Sequence, residues 1–275
     1  MEYTETTATM LAKGAPNRTR DGRTVMCAIA VSPDIGLIRL YPLSVASDQD
    51  IHVWSRIRCK IRKASTDFRV ESFRIVSAEP IGRIDSPKAK ADLLNACILR
   101  SGDVDPITYQ NAASRRMSIA VVKAPLGVGA SLVPQDVTDV DHAVDEDDAW
   151  AMTQGEYPFK PYLRWQSIQG GNHETHLCSQ EVYEGMRHNA ATPFRVFENL
   201  HIGDPDYEHW MILGNQKNRP TTWLCAHLHR QKKICSDTSS SLMTFDGDGE
   251  SWPYLQQEAI NVKCVDPQKT FSFTM

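Results

Sequence analysis

Arg56-Ile57-Arg58-Cys59-Lys60-Ile61-Arg62-Lys63 is the most regular stretch of this chain. Apolar and basic residues alternate with a period of two. On a strand, Ile57, Cys59 and Ile61 would therefore share one face, and Arg56, Arg58, Lys60 and Arg62 the other. Upstream, Thr24–Val31 (TVMCAIAV) is an apolar run of strand length. Turn chemistry at Ser32-Pro33-Asp34-Ile35-Gly36 follows, and Leu37–Tyr41 returns as a second strand, predicting a hairpin that Pro42 ends. Downstream, Asp67–Ile75 (DFRVESFRI) alternates less regularly and predicts a fourth strand. Strands this close together predict a small twisted β-sheet or partly open barrel in the N-terminal half.

Ser86 as N-cap, Pro87 as first helical residue and Gly102 as terminator bracket a helix, with Leu93, Leu94, Cys97 and Ile98 as its apolar stripe. A short helix is expected around Thr108–Arg116 and a strand at Ser118–Val122. The C-terminal half mixes helices, at His176–His188 and near Phe194–Leu200, with a hairpin of Tyr207–Leu213 and Thr221–His229. A closing strand is expected at Thr270–Phe273. The fold class is α+β. Residues 1–23 read as a loosely held arm, 24–133 as a basic strand-rich domain, 134–149 as an acidic linker or loop, and 150–275 as an acidic α+β domain, possible as one continuous domain with the first. No internal repeat is visible along the chain.

The 275 residues carry a net charge of −4, 41% hydrophobic residues and 23% charged residues, an ordinary globular composition. The average hides an asymmetry. Residues 1–125 hold 19 Lys and Arg against 13 Asp and Glu, and the remainder hold 11 against 21. Such a split suits a chain whose front half meets a polyanion, with the acidic half in solvent or on a protein partner. No apolar run reaches the length of a membrane span. The first residues lack a secretory signal. Seven scattered cysteines without a CxxC pair suit reduced thiols, so a cytoplasmic protein is expected.

Two constellations carry chemistry. Arg56, Arg58, Lys60 and Arg62, with Arg39 nearby, form a row of cations that could follow a phosphate backbone, and Trp54 could stack on a base. The competing reading is a solvated outer face on which Asp67 and Glu71 satisfy the arginines. Asp67, Arg69 and Glu71 lie too far apart on a strand to act as a catalytic pair. The second constellation is His173, His176 and Cys178 together with Cys225, His227 and His229, ligand types that zinc prefers. Glu174 or Glu181 could then serve as general base. No HExxH or CxxC spacing defines such a site, so no metal cofactor is favoured. Walker A, dinucleotide and nucleophile-elbow motifs are missing from the sequence, and Asp246–Glu250 lacks the spacing of a calcium loop.

Gly36–Pro42, Trp54–Lys63 and Asp67–Ser72, followed by Cys178–Arg187, Gly214-Asn215, Pro220 and Trp223, resemble a family of uncharacterised prokaryotic and phage proteins. Its front end reads R-[LI]-Y-P then D-x-R-x-E-S, and its back end G-[NT]…P…[FW]. The resemblance spans residues 24–78 and 160–230 and implies no activity. It also implies an apolar strand after Trp223, which would make the Cys225–His229 cluster particular to this chain. The expectation is a nucleic-acid-binding accessory protein that uses a basic strand face. The alternatives are a metal-dependent hydrolase or nuclease and an adaptor subunit of a larger assembly.

Overall fold

The computed structural model describes residues 3–19, 21–46, 48–101, 117–124, 128–137, 153–166 and 171–233. All of them fall in one compact unit, Met1–Cys235; Ser236–Met275 form a second unit. The expected helix at 108–116, the closing strand at 270–273, the loop at 246–250 and most of the acidic stretch lie outside the described residues.

The first sheet closes on itself. β1 (Thr4–Lys13), β3 (Thr24–Ser32), β4 (Gly36–Ser44), β5 (Ser55–Lys63) and β6 (Ser72–Arg83) follow the order β1-β5-β6-β4-β3, and β3 returns to β1. Every pairing is antiparallel except β4 with β6. A two-residue strand, β2 (Asn17–Arg18), extends the edge of β3. The closing element is β1. Thr4–Thr9 pair with β5 and Thr9–Lys13 with β3, with a bulge between Met10 and Ala12. A bulge bends a strand sharply enough for one segment to serve two walls of a small barrel. The expected N-terminal arm is therefore a structural strand. Its threonines are β-branched strand formers whose polarity masks them in a composition reading.

Alternation along β5 is as expected, with Ile57, Cys59 and Ile61 buried in the barrel core beside Met10, Met26 and Leu40. By contrast, β1 and β3 are buried on both faces over much of their length. Met10 and Met26 point into the barrel, whereas Leu11, Ile29 and Val31 join a second apolar cluster outside it. That cluster includes Leu94 and Cys97 of α1 (Pro87–Ser101), together with Trp210 and Ile212 from the C-terminal half. A strand covered on both sides needs a continuous apolar run, which is what TVMCAIAV supplies. The expected start of α1 is also present: the Ala89 amide donates to Ser86 Oγ at 3.3 Å.

The remaining strands are β7 (Ile119–Ala124), β8 (Gly129–Pro134), β9 (Phe159–Gln166), β10 (Asn172–His176), β11 (Tyr207–Gln216) and β12 (Arg219–Lys232). Between β10 and β11 lie α2 (Gln180–His188) and α3 (Arg195–Asn199). They form two three-stranded sheets, β8-β9-β10 and β7-β11-β12. A parallel bridge between Leu177, just after β10, and Cys225, in the middle of β12, joins the two sheets. Taking β7 and β8 as two halves of one opening strand, the first half pairs with the fourth strand and the second half with the second. The third and fifth strands then meet in parallel. This is the circuit of the first barrel, repeated more loosely around a core containing Leu163, Trp165, Leu177, Tyr183 and Met211. The duplication lies in the pairing pattern, not in the residues, so the sequence does not display it. It also places Ile119–Pro134 with the second circuit and not with the basic domain.

Two expected elements move. Residues 67–71 form a turn, not a strand: Asp67 Oδ1 accepts from the Arg69 amide at 3.1 Å, and the Ser72 amide donates to the Arg69 carbonyl at 3.2 Å. Residues 172–176 form a strand on β9, and the helix begins only at Gln180.

Arg69 is the anchor of that turn. Its guanidinium holds Asp67 and donates to the Asn215 carbonyl at 2.7 Å, linking the two circuits from a buried position. Arg69→Ala is expected to cost about 2–3 kcal/mol of stability, read from the urea midpoint, and Arg69→Lys should not restore it. Burial alone would raise the Asp67 carboxyl, but hydrogen bonds from Arg69 hold it down at about 2. Its contribution should be complete above the ordinary value near 3.8 and lost as pH falls through about 2. In Asp67→Asn, the stability profile should flatten across that window.

Candidate functional site

The row expected on β5 is on the outside of the first barrel. Arg58 and Lys63 are exposed, and Arg56, Lys60 and Arg62 are half-buried, while the intervening residues point inward. The carboxylates that meet the row are not the expected ones. Arg58 pairs with Glu79 at 2.8 Å and Lys60 with Glu5 at 3.9 Å, both across strands and both exposed. Exposed pairs of this kind contribute at most about 1 kcal/mol and exchange readily with other anions. Arg74 lies opposite Arg62, extending the basic surface onto β6.

Arg39 does not belong to that surface. It is 7% exposed, and its guanidinium donates to the Ser118 carbonyl at 2.7 Å. A β-carbon at Gly214 would lie 3.1 Å from the Arg39 nitrogens, so the glycine leaves room for the guanidinium. Glu71 accepts from both the amide and the hydroxyl of Ser118, at 2.9 and 2.8 Å. Arg39, Arg69, Glu71, Gly214 and Asn215, drawn from both ends of the motif resemblance, thus meet in one clasp between the barrels. Their role there is structural.

Trp54 also leaves the row. It is 9% exposed, its φ is 74°, and its backbone is tied to Met10 and Ile84. A tryptophan in the left-handed region is strained, and such strain persists only where surrounding packing enforces it. Its ring lies 4.5 Å from that of His229, in the wall between the two barrels.

The histidines and cysteines separate into distinct environments. His173 packs on Trp165, and His176 bonds the Tyr183 hydroxyl at 2.9 Å; burial pulls His176 down to about 4. Cys178 and Cys225 are buried thiols, and burial pushes Cys178 up to about 12, far from the thiolate a metal would need. His229 donates from Nε2 to the Leu11 carbonyl at 2.7 Å. Among the described residues, no group of three or more His, Cys, Asp or Glu is arranged to hold a metal ion.

His227 differs from the others. Nδ1 lies 3.0 Å from Ser179 Oγ, and Nε2 lies 3.5 Å from the Glu181 carboxylate. Ser179 occupies the N-cap position of α2, yet its hydroxyl serves this ring and not the helix. The other Glu181 oxygen faces Arg230 at 3.4 Å. His227, Glu181 and Arg230 border an open cleft of about 640 Å³, to which Trp54, Arg83, Tyr207 and Lys232 also contribute. A smaller recess of about 190 Å³ shares His52, Val53, Glu181 and His227 with it and adds Lys13 and Glu184. Lys13 is 6% exposed and donates to the Ile51 carbonyl at 2.8 Å. Lys13 lies in the segment expected as an arm, and His52 has no local motif. Only the packing of the barrel on the second circuit brings them to the histidine strand.

Residues 4–95 match a family model described as a domain of unknown function (DUF8758), which spans the first barrel and most of α1. No curated protein matches the chain. Among the described residues, no helix is long and apolar enough to cross a membrane.

Burial lowers the pKa of His227 and the Glu181 carboxylate raises it in opposition. Replacing Glu181 by Gln removes the carboxylate's support for the imidazolium. In an NMR titration of the ring, His227 of Glu181→Gln should therefore protonate at a lower pH than in the wild type. An unchanged midpoint would mean that the carboxylate does not act on the ring.

Proposed function

We propose that this protein binds nucleic acid through the outer face of β5. The observation that carries the reading is the alternation of β5, in which Ile57, Cys59 and Ile61 fill the barrel and Arg56, Arg58, Lys60 and Arg62 are directed away from it. Cations on alternate strand positions lie about 6.5–7 Å apart, a spacing that can follow a phosphate backbone without reading bases. Arg74 on the neighbouring strand widens the track. Five-stranded Greek-key barrels are an architecture that binds oligonucleotides and oligosaccharides in other proteins. That analogy supports the reading, but the site must carry it. Cys27, Cys59, Cys178 and Cys225 are free thiols, which suits a cytoplasmic setting. The motif resemblance to prokaryotic and phage proteins suits an accessory factor of a phage or mobile element.

Binding of fluorescent single- and double-stranded DNA and RNA across a salt series tests this. The wild type should weaken steeply with salt, and an Arg56/Arg58/Lys60/Arg62→Ala variant should lose about one unit of slope per phosphate contact removed. Glu79→Gln, which releases Arg58, should tighten binding. No binding to any of the four nucleic acids at low salt would end this reading.

A further inference from the structure

We infer that the cleft between the two barrels is a second binding site, separate from the β5 face, for a phosphate monoester carried on a flat ring. A free nucleotide and the phosphorylated end of a strand share that chemistry. Three independent features lead to it.

The first is Lys13. An ammonium group has three donors, and among the described residues Lys13 donates one hydrogen bond, to Ile51. Burial works against its charged form, and the Asp48 carboxylate supports it. A buried lysine bordering a recess, with donors to spare, suits an anion that would accept from them.

The second feature is the balance of charge. Arg83, Arg230 and Lys232 line the cleft and Lys13 the recess beside it, against Glu181, which lines both, and Glu184 in the recess. Glu184 is engaged by Arg187 at 2.7 Å, Glu181 by Arg230 at 3.4 Å and Arg83 by Asp85 at 3.5 Å. Lys13 and Lys232 stand outside those pairs, so the surplus is cationic.

The third feature is the rim. His201 and Tyr207 are stacked with centroids 3.8 Å apart and planes 5° from parallel, and both line the cleft. A stacked pair already held flat offers a face to a further ring. A volume of about 640 Å³ is in the range of sites for small organic ligands. An anionic head towards Lys13 would occupy the recess, and a ring at His201 and Tyr207 the neighbouring cleft.

Isothermal titration of the full chain with AMP, adenosine and inorganic phosphate tests the proposal, alongside single strands bearing either a 5′-phosphate or a 5′-hydroxyl. AMP, the 5′-phosphorylated strand or both should bind at least tenfold more tightly than adenosine, the hydroxyl strand and phosphate alone. A preference for AMP points to a free nucleotide, and a preference for the phosphorylated strand to a strand end. Arg230→Gln with Lys232→Gln, on the rim, should weaken this binding at least tenfold, and so should Lys13→Met. If Lys13→Met does not fold, the rim variant decides alone. The β5 quadruple variant should leave AMP affinity within twofold, so failure of either site is distinguishable from failure of the other. Equal affinity for phosphate and AMP, no binding at millimolar ligand, or wild-type affinity in the rim variant would overturn the proposal.

Discussion

The joint between the barrel and the second circuit rests on two arginines of the barrel that donate to main-chain carbonyls of the second circuit. Arg39 reaches Ser118 and Arg69 reaches Asn215, each at 2.7 Å and each away from solvent. A buried guanidinium is costly unless its donors are met, so the arrangement is stable only with both barrels in place. Glu71 completes the clasp by accepting from Ser118, and its own carbonyl accepts from the Arg39 amide. Gly214 is part of the same constraint, because a side chain there would meet the Arg39 guanidinium.

The cleft follows from this joint. With Leu11, Ile29 and Val31 covered by Trp210 and Ile212, the start of β5 is held against the end of β12. Trp54 and His229 then share a wall, with Lys13, His52, Glu181 and His227 around the same cavity. None of these residues is adjacent in sequence to those it meets across the joint. The β5 face, by contrast, lies away from the joint, and its cations depend only on the first barrel keeping its register.

Shared residue type does not fix the direction in which each side chain points. Cys225, His227 and His229 do alternate on a strand, as expected. Yet His229 is tied to the backbone of β1, Cys225 is buried in the core of the second circuit, and His227 turns to Ser179 and Glu181. The neighbouring helix contributes a serine and a glutamate where the metal idea required His173 and His176.

Period-two patterns and cap chemistry are local, and the sequence by itself determined what depends on them. That includes the face assignment of β5, the hairpin before it, the capped start of α1, the β11–β12 hairpin and the α+β class. The closing role of β1, the repetition of one circuit in two halves, the burial of Arg39 and Trp54, and the cleft with Lys13 and His227 were decided only in the tertiary structure. The physical reason is that these depend on which strand meets which, and strand pairing across a barrel is a long-range choice. A threonine-rich segment reads as polar until another barrel covers it, and an arginine reads as a surface cation until a distant carbonyl receives it.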